Sequence, residues 1–283
     1  MDFEKPHRRY NPLKGEWVLV SPHRAKRPWL GQIEKMPPLN LPEYDPGCYL
    51  CPGNKRTSGI ANPKYTSTYV FDNDFPALLY GDNLPGIQND DVLFRAENEV
   101  GFCKVVCFSP KHNLSLPEME VNDIVDVIRT WVEQTNILQK APGINYVQIF
   151  ENKGEMMGCS NPHPHSQIWA TGHLPNEIAV EMTQQEKYLN ETGRCLLCDT
   201  LAAEKSKEIR IVAQNEHFTA LVPFWAVWPF ELLVIANRHC TSLPDLSQEE
   251  IAGLSDMIHQ VTICYDNLFE TSFPYSMGFH QLP

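Results

Sequence analysis

The sequence predicts an α+β fold of two echoing halves, the second of them incomplete. Three observations lead there. A Cys-x-x-Cys pair opens each half, Cys48/Cys51 and Cys195/Cys198. Each pair is followed by short apolar runs of strand type and then by one long segment with apolar residues at helical spacing. Prolines, 23 in all, fall between these segments and mark turns.

In the first half, strands are expected around Tyr69, Val70 and Phe71 and over residues 102–108. A helix follows, with Ile124, Val127, Ile128, Trp131 and Leu138 on one side. A strand over 146–150 then leads to His163-Pro164-His165-Ser166-Gln167. In the second half, strands are expected over 210–212 and 231–235. Ser247 and Glu250 make a capping box. The helix they start carries Ile251, Leu254, Ile258, Val261, Tyr265 and Leu268 on one face. The apolar run 220–236 reads as buried core, with Trp225 and Trp228 inside it. It holds Pro223, Pro229 and Glu231 and is too short to span a membrane. The second half has no His-x-His of its own, which reads as a shortened form of a longer protein.

The formal net charge of -12 argues against a nucleic-acid partner, since phosphate backbones need clustered Lys and Arg. The N-terminal stretch with Arg8, Arg9, Arg24, Lys26 and Arg27 still suits a small anion, or is simply a solvated basic surface. The first residues lack an apolar signal segment, and nine cysteines without one point to reduced thiols and a cytoplasmic setting.

The chemistry concentrates in two places. Cys48 and Cys51 have metal-knuckle spacing, and Pro52-Gly53 after them favour a tight turn in which two sulfurs converge. His112 and His163 are the best remaining ligands for a closed, structural zinc. A redox pair is the competing reading, without a thioredoxin-like context to support it. Cys195 and Cys198 repeat the spacing, and His239 is a third candidate ligand. No fourth is visible there, and such pairs are also ordinary core cysteines.

Along an extended segment, side chains two apart share a face. His163 can therefore ligate a metal while His165 stays free as a nucleophile. Gln167 falls on the same face, where its amide N–H can bond a phosphoryl oxygen. The small residues Gly158, Cys159 and Ser160 before the histidines offer backbone N–H groups to a phosphate, though a plain turn has the same composition. Together these suggest phosphorus chemistry.

The segments His7-Arg8-Arg9-Tyr10-Asn11-Pro12-Leu13, Ser21-Pro22-His23-Arg24-Ala25-Lys26-Arg27-Pro28-Trp29, Asn73-Asp74-Phe75-Pro76-Ala77-Leu78, Phe150-Glu151-Asn152-Lys153-Gly154 and Ser160-Asn161-Pro162-His163-Pro164-His165 carry a resemblance. Through them the chain resembles the galactose-1-phosphate uridylyltransferase family of the histidine-triad superfamily. The resemblance implies two tandem histidine-triad-like units, 1–176 and 177–283, with mainly antiparallel sheets flanked by helices. It implies a ping-pong reaction of the Leloir pathway of galactose metabolism. UDP-glucose gives its uridylyl group to His165, and galactose 1-phosphate collects it. By the same likeness, Cys48, Cys51, His112 and His163 are the structural zinc set, and Glu181 and His280 are two ligands of a second metal, iron or zinc. Arg24, Arg27, Asn73, Asp74 and Asn152 are contacts to the nucleotide sugar. Cys159 and Ser160 contact its phosphates, and Gln167 stands where hydrolases of the superfamily carry a third histidine.

Family members are homodimers and continue past the position of Pro283 with a His-x-His segment that finishes the second metal site. The expectation is thus a C-terminally shortened member whose acceptor handling is impaired. Two alternatives stay open: another nucleotidyltransferase or phosphorylase of the superfamily that uses an adenylyl group, and an inactive, truncated zinc-binding partner subunit.

Overall fold

The computed structural model describes residues 3–26, 40–81, 87 and 91–283. The fold is α+β, with antiparallel sheets and helices in two compact units. One unit joins residues 1–38 to 176–240, and the other joins 39–175 to 241–283.

In the first unit, β1 (His7–Asn11) and β2 (Glu16–Val20) form an antiparallel hairpin. The second unit holds β3 (Tyr69–Asp72), β4 (Gly101–Cys107), helix α1 (Val121–Leu138), β5 (Tyr146–Lys153) and β6 (His165–Thr171). The chain then returns to the first unit with helices α2 (Asn176–Thr192) and α3 (Leu196–Lys207). There β7 (Ile211–Gln214), β8 (Phe218–Leu221) and β9 (Leu233–Ala236) make a three-stranded antiparallel sheet. It ends in the second unit with α4 (Gln248–Phe269) and β10 (Tyr275–Gly278).

The sheet of the second unit runs β10-β5-β6-β4-β3, antiparallel throughout. β6 is central: it pairs with β4 from His165 to Thr171 and with β5 from Gln167 to Thr171. One face packs on α1, whose Ile124, Val127, Ile128, Trp131 and Leu138 are all buried, as their spacing predicts. On α4 the capping box forms, with Ser247 Oγ accepting from the Glu250 N–H at 3.2 Å. Ile251, Leu254 and Ile258 are buried, whereas Leu268, in the last turn, is 62% exposed.

The run 220–236 is only partly core. Ala220, Leu221 and Trp225 are buried, but Val227, Trp228 and Phe230 are exposed, Trp228 at 74%. The correction has a local cause: between Trp225 and β9 the chain forms turns closed by the Glu231 carboxylate, which accepts from the Val227 and Trp228 N–H groups, and Phe230 sits at φ 62°. Hydrophobicity alone does not reveal such a protruding turn. Among the described residues no helix is long and apolar enough to cross a membrane.

β10 is pinned to β5 by a buried polar contact. Tyr275 donates its hydroxyl to Glu151 Oε2 at 2.9 Å, on the helix-facing side of the sheet. Burial pushes the Glu151 carboxyl from 4.5 up to about 8, with the Tyr275 hydrogen bond and Lys153 pulling the other way. A carboxyl whose pKa is raised on folding adds stability below its unfolded pKa and loses it as pH rises through the folded one. Stability is therefore expected to decline between pH 4.5 and 8. Glu151→Gln, neutral and of the same shape, flattens that decline by on the order of a few kcal/mol. Thermal melts of both proteins across the window check this; parallel curves contradict it.

Candidate functional site

The site begins with the knuckle at Cys48–Cys51. The Cys51 N–H bonds the Cys48 carbonyl at 3.2 Å, and the Leu50 N–H bonds Cys48 Sγ at 3.3 Å. Asn62 braces the turn from outside, its Nδ2 donating to the carbonyls of Tyr49, Leu50 and Cys51. Two histidines from elsewhere in the unit close on these sulfurs. Cys51 Sγ lies 3.6 Å from His112 Nδ1 and 3.6 Å from His163 Nδ1. The ligand atoms of Cys48, Cys51, His112 and His163 all fall within 4.8 Å of one another, and all four residues are buried.

The arrangement passes a geometric test for a tetrahedral ion. With Zn–S near 2.3 Å and Zn–N near 2.0–2.1 Å, a tetrahedron separates S from N by about 3.6 Å. The ring protons agree as well. His163 Nε2 is 2.9 Å from the Ser109 carbonyl, which can only accept, so the lone pair is on Nδ1 and faces the sulfurs. Burial pushes the Cys51 thiol up to about 11, so keeping it as a thiolate requires a cation beside it. The same burial lowers His163 to about 4, which keeps the ring neutral and fit to ligate. Two sulfurs and two imidazole nitrogens in a closed, buried set are compatible with structural zinc.

Two residues beyond His163 the chain enters β6. His165 Nδ1 lies 2.8 Å from the His163 carbonyl oxygen. A carbonyl cannot donate, so Nδ1 carries the proton and Nε2 presents its lone pair. Burial lowers the pKa of His165, with that hydrogen bond opposing, so the ring is neutral near pH 7.

Alternation along β6 leaves His165, Gln167 and Trp169 half-buried on one face and buries Ser166, Ile168 and Ala170 on the other. Gln167 Oε1 accepts from the Trp169 indole at 3.3 Å, which turns the amide N–H2 end the other way. From β5, Asn152 adds a carboxamide whose oxygen accepts from the Ser276 hydroxyl on β10. Gly158, at φ 80°, holds a backbone turn that other residues adopt only with strain. His165, Gln167, Asn152, Gly158, Cys159 and Ser160, with Phe150 and Ser166, line one small pocket. The arrangement offers one unprotonated ring nitrogen beside amide donors, which suits attack on a phosphorus or acyl centre.

Asn161 braces the metal cluster, a role that sequence reasoning missed. Asn161 Oδ1 accepts from the His163 N–H at 2.9 Å, and its Nδ2 lies 3.5 Å from Cys48 Sγ. Behind the sheet, Trp131 Nε1 donates to Ser166 Oγ at 2.8 Å. That bond ties β6 to α1 midway between His165 and Gln167. Trp131→Phe is expected to cost about 1–3 kcal/mol, since it strands the buried Ser166 hydroxyl. Adding Ser166→Ala recovers part of that loss. Urea unfolding of the single and double variants gives the coupling; strictly additive effects contradict it.

Asn73 and Asp74 follow β3 and are absent from the lining of this pocket. Asp74 pairs with Arg56 at 3.0 Å, and Asn73 Oδ1 accepts from the Phe75 N–H. Arg24 lies in the single 3-10 turn Pro22–Lys26 of the first unit, and Arg27 is outside the described residues. Glu181 is on α2 in the first unit, and His280 follows β10 in the second. Cys195, Cys198 and His239 do converge, in the first unit, with ligand atoms within 4.8 Å.

Two family profiles match, described as the N-terminal domain of galactose-1-phosphate uridyl transferase over residues 1–175 and its C-terminal domain over 181–283. A galactose-1-phosphate uridylyltransferase of Haemophilus influenzae is 52% identical over 280 residues, 99% of this chain and 79% of its own length. Among solved structures, a uridylyltransferase superposes with a TM-score of 0.76 at 26% identity, covering 98% of this chain and 80% of that one. An ADP-glucose phosphorylase from Arabidopsis thaliana, solved with bound ADP-glucose, gives 0.76 at 25% identity, covering 99% and 83%. With profiles on both halves and a relative half identical over nearly all of this chain, the chain belongs to the galactose-1-phosphate uridyl transferase family.

Proposed function

We propose that the chain transfers a uridylyl group from UDP-glucose to galactose 1-phosphate through a covalent intermediate on His165. The observation that carries this reading is the 2.8 Å contact between His165 Nδ1 and the His163 carbonyl, which leaves Nε2 free at a pocket lined by amide donors. The name of the Haemophilus influenzae relative supplies the reaction.

In the first step, Nε2 of His165 attacks the α-phosphorus of UDP-glucose. The N–P bond forms, the P–O bond to the β-phosphate breaks, and glucose 1-phosphate leaves with the bonding pair. In the second, a phosphate oxygen of galactose 1-phosphate attacks the same phosphorus. The N–P bond breaks, its pair returns to Nε2, and UDP-galactose departs. Because both displacements occur at one phosphorus, one nucleophile and one set of donors serve both. The Gln167 N–H2 group bonds a phosphoryl oxygen without yielding a proton. Cys159 and Ser160 are assigned to the phosphates on family likeness; the free N–H groups expected of this turn are reduced, because those of Gly158 and Cys159 donate to the Glu155 and Gly154 carbonyls. Asn152 adds a further contact. Asn73, Asp74, Arg24 and Arg27 are assigned to the nucleotide sugar on family likeness alone. Zinc on Cys48, Cys51, His112 and His163 is structural and takes no part in bond making. Glu181 and His280 belong, on the same likeness, to a second metal, iron or zinc. A cytoplasmic setting suits nine free cysteines, and light scattering checks the homodimer that the likeness implies.

The likeness to an ADP-glucose phosphorylase favours a second reading, transfer of an adenylyl group through the same histidine. Incubating the chain with labelled UDP-glucose or ADP-glucose, without acceptor, separates the two. Acid-labile label from UDP-glucose supports the first reading. Label from ADP-glucose alone supports the second. No protein-bound label from either refutes both.

A further inference from the structure

We propose that Cys195, Cys198 and His239 bind a zinc ion of their own, distinct from the Cys48 cluster and independent of the uridylyl reading. Cys195 occupies the N-cap of α3, and its Sγ accepts from the Cys198 N–H at 3.4 Å. Ser, Thr, Asp and Asn are the residues favoured there, and a neutral thiol is a poor substitute as an acceptor. A thiolate is not: the N-terminus of a helix stabilises negative charge, and that is the form a metal takes. The placement is thus poor for a cap and good for a ligand.

The third donor comes from across the unit. Cys198 Sγ lies 3.4 Å from His239 Nδ1, and the three ligand atoms are within 4.8 Å of one another. A tetrahedral zinc requires S and N about 3.6 Å apart, so the contact needs only a small adjustment. Both Cys-x-x-Cys pairs also share a detail of backbone chemistry. In each, a main-chain N–H points at the first sulfur, from Leu50 to Cys48 and from Cys198 to Cys195. Such bonds lower the cost of holding that sulfur as an anion.

His239 is anchored beforehand. It follows Asn237, whose Nδ2 donates to the carbonyls of Asn215 and Glu216 and whose Oδ1 accepts from Lys205 of α3 at 2.8 Å. An ion at this point therefore fastens the start of α3 to the end of β9. The cysteines are half-buried and His239 is exposed, unlike the sealed first cluster. Three protein donors with solvent at hand leave the fourth position to water.

The test uses the full chain, reduced and reconstituted with Zn(II) or Co(II). Cys195→Ser/Cys198→Ser is expected to bind about one zinc fewer per chain and to lose about half of the sulfur-to-cobalt charge-transfer band. That band reads thiolates only, so a metal on Glu181 and His280 does not contribute to it. His239→Cys is expected to keep the stoichiometry and strengthen the band. Should the double variant not fold, the native chain answers instead. Zn(II) is then expected to slow alkylation of Cys195 and Cys198 at least tenfold. Unchanged zinc content and cobalt spectrum in the folded double variant, or no protection from alkylation, overturns the site. So does a Cys195–Cys198 disulfide in metal-replete protein.

Discussion

His165→Ala is expected to cut turnover by on the order of 10^4- to 10^6-fold and to abolish the protein-bound uridylyl group. The size follows from the division of labour at the pocket. Under the proposed assignment, Gln167 and Asn152 hold the substrate whether or not a nucleophile is present, so substrate binding is expected to survive. What disappears is the route itself, because no other neutral ring nitrogen faces these donors among the described residues. His163 does not substitute: its Nε2–H is committed to the Ser109 carbonyl, and its Nδ1 faces Cys51. The fold is expected to be unharmed, since His165 is only half-buried, its ring bonds the carbonyl two residues back, and its backbone pairing with β4 is kept. Steady-state rates beside a melting curve make the comparison. A variant that melts like the native chain yet keeps a tenth of its activity contradicts the assignment.

Cys51→Ser is expected to act in the opposite manner, removing stability and activity together. Cys51 is fully buried, and its sulfur is the atom that approaches both His112 and His163 at 3.6 Å. Without it the cluster keeps one sulfur and two nitrogens in a closed space with no metal to satisfy them. Structural zinc contributes about 10–16 kcal/mol of apparent binding energy in small domains, so even part of that exceeds the margin of a typical fold. We expect loss of one zinc and a fall in the first thermal transition by on the order of 10 °C or more. Activity falls with it, because His165 is placed by the carbonyl of a ligand residue. Zinc analysis and calorimetry check this. Unchanged melting with full zinc contradicts it.

Local features of the site were legible because they repeat at short range. The period-two run from His163 to Gln167 shows its shared face in the sequence, and the structure keeps His165 and Gln167 on one side of β6. The first Cys-x-x-Cys pair announces its turn through its spacing and the Pro52-Gly53 that follow, whereas the second pair opens helix α3. The strand at 102–108 and the helix through Trp131 emerge from hydrophobic period, within a residue or a few at their ends.

What stayed hidden depends on distant partners. Nothing in residues 275–278 says that β10 pairs with β5, because a strand pattern states a face and not a neighbour. Helices α2 and α3 were not read, since of α2 only Ile178 is buried and the apolar stripe is too sparse to show a period. Trp228 read as core on hydrophobicity, yet a turn closed by Glu231 carries it outward. Asn161 and Ser109 gave no sign of their work, because polar residues that orient a ligand carry no motif. Trp169 alone had a usable signal, lying two residues beyond Gln167 on the same face.

Finding which nitrogen holds the phosphorus is the sharpest test. The chain, labelled with 15N-histidine and incubated with UDP-glucose without acceptor, can be studied by 15N–31P correlation and peptide mapping. The expected result is a single phosphoramidate on Nε2 of His165, with Nδ1 still protonated toward the His163 carbonyl. Phosphorus on Nδ1, or on His163, would mean that the hydrogen bond fixing this ring does not direct the chemistry.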